Sequence, residues 1–139
     1  QPGRYILAAD TMVQVGKHYL GKPKDRDDAV RMIKMLSGRA HHVYTGVCLR
    51  RPDGSELYDA SITRVAFITL PDVLIERYVD TGEPMDKAGS YGIQGYGAMF
   101  VSHLEGDYFS VMGLPLCPLC RMLRAFGVSI LTEKEAQEA

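Results

Sequence analysis

Residues 5–20 read YILAADTMVQVGKHYL, and this pattern predicts that the chain opens with paired β-strands. The apolar run at residues 5–9 has the length of a strand buried on both faces rather than of a helix. Asp10 and Thr11 follow the run directly, so we expect them just past the end of that strand. The residues on either side of Gly16 then form a hairpin.

An amphipathic helix is predicted after this hairpin. Asp25 is a residue type that caps helix N-termini, and Gly38 is a typical C-terminal stop. Between them, four apolar residues recur at the spacing i, i+3, i+4 and i+7, which puts them on one face of a helix. These residues are Ala29, Met32, Ile33 and Leu36.

A long hairpin and a second helix come next. Residues 42–50 and 57–69 are strand-like and flank a strong turn signal, PDGS, at 52–55. Pro71 suits the first position of a helix, where its missing N–H has no helical partner, and Gly82 ends that helix. The chain therefore reads as an α/β protein.

The last third of the chain contains a glycine-rich loop. Residues 83–97 lack a clean periodicity, and long loops in compact domains are usually functional. We expect a strand at 98–104, a short partner strand at 108–111 and a final apolar helix at 114–126.

Composition excludes several classes of protein. The 139 residues are 46% hydrophobic and 24% charged, which is ordinary for one globular domain and excludes disorder of the whole chain. A net charge of −1 argues against a nucleic-acid-binding protein. The sequence shows neither a membrane-spanning run nor a signal peptide, and three cysteines suit a reducing, cytoplasmic setting.

One domain is predicted over residues 1–131, with a polar tail at 132–139. Because the chain starts at Gln1 and enters an apolar run almost at once, we expect this domain to be incomplete at its N-terminus.

Five residues are candidates for chemistry. Asp10 can act as a base or bind a hard metal ion through oxygen, although it also suits a turn together with Thr11. Lys22 and Lys87 can meet phosphate oxygens, although surface lysines are usually only solvated. The Gln94 side chain has both an acceptor and a donor and can read the edge of a base. The alternative is that the loop around Gln94 has no binding role and is only a tight, glycine-rich connection.

The CPLC sequence at residues 117–120 invites a redox or zinc interpretation. Zinc needs four ligands and there is no second CxxC, so we expect two buried thiols in the final helix instead. The aromatic residues of the last third are most simply core: Tyr91, Tyr96, Phe100, Tyr108 and Phe109.

Nine short motifs follow one another along the chain: ADT (9–11), GKPK (21–24), LSGR (36–39), YTGV (44–47), TGEP (81–84), DKAG (86–89), YGIQG (91–95), EGDY (105–108) and GLPL (113–116). Their order resembles that of the Maf family of nucleoside triphosphate pyrophosphatases, also called septum formation inhibitors. The resemblance implies a fold like that of inosine-triphosphate pyrophosphatase, with a long mixed β-sheet, flanking helices and a cleft between two lobes.

The resemblance also implies roles for residues. Asp10 matches the aspartate that accepts a proton from water, and we assign it to the metal, Mg²⁺ or Mn²⁺, as well. Thr11 and Gln94 match positions linked to substrate choice, and Lys22 and Lys87 match lysines that meet the triphosphate. The pairing of Asp-Thr with Gly-Ile-Gln looks like the branch that acts on dTTP and UTP.

One part of the family pattern has no counterpart here. Maf proteins open with a strand and a Ser-x-Arg-Arg loop that leads into a helix, and nothing in this sequence matches that segment. The alternative function is therefore a non-catalytic nucleotide-binding module or a regulator of cell division. The expected partner is a pyrimidine nucleoside triphosphate, with no nucleic acid or membrane, and a homodimer is an expected assembly.

Overall fold

The structure, a computed structural model, describes residues 3–129 and 131. The predicted tail at 132–139 lies outside the described residues. The elements, in chain order, are β1 (Ile6–Val15), β2 (His18–Leu20), α1 (Arg26–Leu36), β3 (Ala40–Arg50), β4 (Glu56–Phe67), α2 (Asp72–Asp80), three 3-10 helices (Glu83–Asp86, Ala88–Ser90 and Tyr96–Phe100), β5 (Val101–Glu105), α3 (Tyr108–Met112) and α4 (Leu116–Ala125).

One five-stranded sheet in the order β2-β1-β3-β4-β5 organises the chain. The α/β class with helices flanking a sheet is confirmed. The resemblance implied a mixed sheet, whereas the strand pairs within the described residues are all antiparallel. Both predicted hairpins are confirmed, the short one turning at Gly16, whose φ is +56°, and the long one joining β3 to β4.

Strand β1 differs from the prediction in two ways. It continues to Val15, so Asp10 and Thr11 lie inside it and pair with Gly46 and Thr45 of β3, rather than following its end. The apolar run is also not buried, since Ile6 is 41% exposed. The reason is that β2 and the main apolar cluster meet only the second half of β1.

Helix α1 is confirmed with its predicted cap and apolar face. The Asp25 carboxylate accepts a hydrogen bond from the Asp28 amide, and the helix ends just before Gly38, whose φ is +68°. All four residues of the predicted apolar face are buried. They pack in a large cluster with Val13 and Val43 on what we call the inner face of the sheet, and α2 joins this cluster through Ile75.

A second, smaller cluster lies at the other end of the inner face. Its buried members are Val47, Leu49 and Met122, so it joins β3 to α4. Between the two clusters the sheet has a polar row, in which Thr11, Thr45 and Ser61 are register partners on β1, β3 and β4. The buried Thr63 lies on the same face of β4, opposite Val43. The candidate site described below reaches this row at Thr11.

The segment predicted as a strand at 108–111 is instead helix α3. Its residues favour strands, but the Asp107 carboxylate accepts a hydrogen bond from the Phe109 amide at 3.0 Å and so caps a helical turn. Gly113, at a φ of +111°, ends the turn. Strand β5 starts later than predicted because Tyr96–Phe100 forms a 3-10 helix.

Two predictions about burial are wrong. Cys117 is exposed and Cys120 is only half-buried, because Pro118 and Met122 form the buried side of α4. Among the aromatic residues, Tyr91 and Phe100 are core, whereas three are exposed: Tyr96, Tyr108 and Phe109. No helix in the described part of the chain is long and apolar enough to cross a membrane.

Candidate active site

All five predicted site residues border one cavity of about 260 Å³ on the inner side of the sheet. They come from three separate parts of the chain: Asp10 and Thr11 from β1, Lys22 from the loop before α1, and Lys87 and Gln94 from the glycine-rich segment. The fold therefore brings together residues that are up to 84 positions apart in the sequence, from Asp10 to Gln94.

The walls of the cavity are apolar on two sides. Val13 and Val43 of the sheet and Ile93 of the glycine-rich segment contribute apolar surface. Met112 and Gly113 at the end of α3 also line the cavity. An apolar cleft with a few polar groups is the usual form of a small-molecule site.

Asp10 lies at the rim of the cavity. Alternation along β1 places its side chain on the face opposite to Thr11, and it borders a groove on that outer face as well as the cavity. Its carboxylate Oδ1 accepts a hydrogen bond from the Thr11 amide at 2.9 Å. The carboxylate is exposed and so remains accessible to water.

The two lysines lie on adjoining loops. The Gly89 amide donates to the Gly21 carbonyl at 3.1 Å, which joins the GKPK loop to the DKAG loop. Lys87 Nζ donates to the Asp86 carboxylate at 2.8 Å and to the Glu83 carbonyl at 3.1 Å. Lys22 is exposed and forms no ion pair with any other described residue.

Both lysines affect the pKa of the neighbouring Asp86 carboxyl. The Lys87 hydrogen bond and charge hold the pKa of the Asp86 carboxyl below its usual range, and Lys22 adds to the effect. This wall of the cavity therefore carries two positive charges and one compensating negative charge, which suits an anionic ligand.

Glu83 holds the segment that carries Gln94. Its carboxylate accepts hydrogen bonds from the Tyr96 amide at 2.8 Å, from the Gly97 amide at 3.1 Å and from the Tyr78 hydroxyl. Burial works to raise the pKa of the Glu83 carboxyl, but these hydrogen bonds outweigh it and lower the pKa below its ordinary value. Glu83 is therefore ionised at neutral pH.

Close packing around the Glu83 carboxylate explains why residue 95 is a glycine. A Cβ at Gly95 would lie 1.8 Å from Glu83 Oε1, so a side chain at this position is incompatible with the carboxylate. The Gly92 amide donates to the Tyr78 hydroxyl at 2.9 Å, which fixes the other end of the loop. Burial raises the pKa of Tyr78, so its hydroxyl stays protonated and donates a hydrogen bond to the Glu83 carboxylate.

Sequence reasoning named Glu83 and Thr45 only as members of motifs and gave neither a role. Thr45 is fully buried behind Thr11, and their hydroxyl oxygens are 3.2 Å apart. One available signal was a polar residue at an inward position between Val43 and Val47. For Glu83 the sequence held no such signal, because its partners lie 13 and 14 positions further along the chain.

A buried histidine supports the floor of the site. His41 Nε2 lies 2.7 Å from the hydroxyl of Tyr91, a residue that lines the cavity. Burial, with a small contribution from the charge of His42, lowers the pKa of His41 to about 4. His41 is therefore neutral at physiological pH, and its Nδ1 has no hydrogen-bond partner among the described residues.

Residues for a metal ion are few. Within residues 3–129 and 131, no group of three or more His, Cys, Asp or Glu side chains is arranged to hold an ion. The carboxylates at the cavity are Asp10 and Asp86. Carboxylates are ligands of the type that holds Mg²⁺ together with substrate phosphates, so these two side chains are the candidates for holding such an ion.

The fold and the cavity together define an α/β protein with a small-molecule cleft that is bordered by two lysines, two carboxylates and two glycines. The family described as "Maf-like protein" matches residues 1–126, which is nearly the whole chain. The chain belongs to the Maf family.

Curated relatives agree with this assignment. A dTTP/UTP pyrophosphatase of Bacillus pumilus (strain SAFR-032) is 48% identical over 92% of this chain and 67% of its own length. Proteins with the same name from Koribacter versatilis (strain Ellin345) and Carboxydothermus hydrogenoformans are 50% and 52% identical, over 91% and 88% of this chain and 65% and 66% of their own lengths. The chain thus spans about two thirds of the length of these relatives.

Proposed function

We propose that the cavity binds a pyrimidine nucleoside triphosphate and that the protein hydrolyses dTTP and UTP to the monophosphate and pyrophosphate. The observation that carries the proposal is the convergence of Asp10, Thr11, Lys22, Lys87 and Gln94 on one cavity. The relatives named dTTP/UTP pyrophosphatase support the same substrate class.

The proposed reaction is attack of water on the α-phosphorus. Asp10 accepts a proton from the water, the new P–O bond forms, and the bond from the α-phosphorus to the oxygen that bridges it to the β-phosphorus breaks. Pyrophosphate leaves with that oxygen. The exposure of Asp10 to water and its place in the lining of the cavity support this role.

Charge on the leaving group is neutralised by Lys22 and Lys87, which lie on one wall. A divalent ion, Mg²⁺ or Mn²⁺, held by Asp10 together with the phosphates, would supply further neutralisation. The base is proposed to lie against the apolar wall, where the Gln94 amide can pair with the O4 and N3 edge of thymine or uracil.

The test is pyrophosphate release from dTTP, UTP, CTP, GTP and 7-methyl-GTP in the presence of Mg²⁺ or Mn²⁺. We expect turnover of dTTP and UTP, and its loss in Asp10→Asn. Asp27→Asn is the matched control, because Asp27 is exposed on α1 and does not line the cavity. Equal turnover in wild type and Asp10→Asn would contradict the role of Asp10, and no turnover by folded wild-type protein would contradict the activity.

A further inference from the structure

The inner face of the sheet carries a chain of hydroxyl groups behind the cavity. Thr11 and Thr45 are register partners on β1 and β3, with their hydroxyl oxygens 3.2 Å apart. Thr45 Oγ1 donates in turn to the carbonyl oxygen of Ser110 in α3 at 2.7 Å. Thr45 and Ser110 are fully buried, and Thr45 does not line the cavity.

The direction of these hydrogen bonds is fixed by donor counting. A carbonyl oxygen can only accept, so the single proton of the Thr45 hydroxyl goes to Ser110. Thr45 therefore has no proton left for Thr11, and the hydrogen bond between the two hydroxyls must be donated by Thr11. The Thr11 oxygen is left with lone pairs and no proton to offer to a ligand.

The Thr11 oxygen is open to the cavity. Thr11 borders the cavity, and so does Gly113. A Cβ at Gly113 would lie 3.9 Å from Thr11 Oγ1, so the residue next to the hydroxyl has no side chain to cover it. The Gly113 amide donates to the same Ser110 carbonyl at 3.0 Å, which ties this part of the wall to Thr45.

We propose that Thr45 is a positioning residue that makes Thr11 Oγ1 a hydrogen-bond acceptor and so selects bases that carry a ring N–H. This inference rests on the proposed function and deepens it. Uracil and thymine present N3–H as a donor, whereas N3 of cytosine is an acceptor. The Gln94 amide can turn over and match either pattern. A fixed acceptor in the cavity is therefore what discriminates UTP and dTTP from CTP.

The experiment measures binding separately from turnover. Calorimetry gives the dissociation constants of the α,β-methylene analogues of UTP and CTP for wild type, Thr45→Val and Thr45→Ser. In wild type we expect the UTP analogue to bind more tightly. In Thr45→Val the preference falls by about tenfold, because the Thr11 hydroxyl can then rotate and donate. Thr45→Ser keeps the hydroxyl and restores the preference.

Thr63→Val is the matched control for loosening of α3. Thr63 is a fully buried threonine on the same face, and it exchanges hydrogen bonds with the backbone of Asp107 at 3.2 and 3.0 Å. We expect this variant to lose stability but to keep the preference for the UTP analogue. An equal loss of affinity for both analogues in Thr45→Val, with an unchanged ratio, would overturn the proposal and leave Thr45 with a purely structural role.

A second variant tests the proposal even if Thr45→Val does not fold. Thr11→Val removes the acceptor itself, and an unchanged preference in that variant would also overturn the proposal. Equal binding of the UTP and CTP analogues by wild type would overturn the proposal as well. Selective binding without hydrolysis of UTP would contradict the proposed enzyme activity and leave this inference standing, whereas hydrolysis with an unchanged ratio in Thr45→Val contradicts the inference alone.

Discussion

At the scale of single residues, the two lysines of the cavity differ in how their charges are used. Lys87 is held by the Asp86 carboxylate and the Glu83 carbonyl, so it also organises its own loop. Lys22 has no such ion pair among the residues that the structure describes. Its ammonium group is therefore free to meet a phosphate oxygen without first breaking an internal contact.

The first prediction concerns Lys22→Ala. Because a hydrogen bond to a charged group contributes about 1.5–3 kcal/mol, we expect kcat/KM for UTP to fall by roughly 10- to 100-fold. Stability should change little, since Lys22 is exposed. Lys24→Ala is the control, because Lys24 lies two positions away on the same loop, is exposed and does not line the cavity. Steady-state kinetics that show equal losses in both variants would refute a specific role for Lys22.

The second prediction concerns His41 and pH. Its pKa of about 4 in the folded chain lies below the ordinary value of 6.5, so the unfolded chain binds the proton first. The corresponding stability is complete above about pH 6.5 and is lost as pH falls through about 4, with a total on the order of 3 kcal/mol. Urea unfolding at several pH values between these limits measures the slope.

His41→Phe should flatten this dependence, because the variant has no group that must be protonated on unfolding. His18→Gln is the control, since His18 is exposed on β2 and its replacement should leave the slope unchanged. An unaltered slope in His41→Phe would contradict the assignment of this pH dependence to His41.

At the scale of elements, the glycine-rich segment behaves as a loop fixed by one carboxylate. Glu83 accepts hydrogen bonds from the Tyr96 and Gly97 amides and from the Tyr78 hydroxyl, so the position of Gln94 depends on it. The loop could be recognised from its glycines and its length. Its anchor could not, because the sequence does not show which distant amides a carboxylate meets.

The third prediction follows from this anchor. Glu83→Ala leaves two amides and one hydroxyl without their partner, so we expect a loss of roughly 2–4 kcal/mol in the free energy of unfolding. We also expect a higher KM for UTP, because the Gln94 segment is no longer fixed. Glu76→Ala on the exposed side of α2 is the control and should behave like wild type in both denaturant unfolding and kinetics. A KM unchanged in Glu83→Ala would separate the loop from substrate binding.

Helix α3 shows why local patterns fail for short elements. The residues YFSV at 108–111 favour strands, and a strand was predicted there. Its helical state depends on the Asp107 cap and on contacts from Thr45 and Thr63, which come from other strands. By contrast, α1 is long enough for the spacing of its apolar residues to identify it as a helix. Its four predicted core residues are all buried.

At the scale of the whole molecule, the two apolar clusters differ greatly in size. The first contains 17 buried residues, from the sheet, α1, α2, the glycine-rich segment and the loop before α2, and the second contains three. Motif order in the sequence was sufficient to identify the family and the residues around the cavity. Burial was less predictable, because the exposure of Ile6 and of Cys117 depends on which elements pack nearby.

The fourth prediction is that α4 opens before the rest of the fold. Few buried contacts hold this helix, so its amides should exchange with solvent at a lower free energy than those of α1. Met122→Ala should speed exchange in α4 alone, whereas Ile33→Ala should speed exchange throughout the chain. Native-state hydrogen exchange measures both, and equal protection of α1 and α4 in wild type would contradict the prediction.

The strand order also sets the sequence of events by which the chain assembles. Strand β3 meets β4 across a short turn, but its pairing with β1 joins Thr11 to Thr45, which are 34 residues apart. Closing the longer loop costs more chain entropy, so we expect the β3–β4 hairpin to form early and β1 to dock late. The cavity needs β1 in place, because Ala9, Asp10, Thr11 and Val13 line it. If β1 docks after the main folding barrier, the proposed nucleotide would prolong the lifetime of the native state without accelerating its formation.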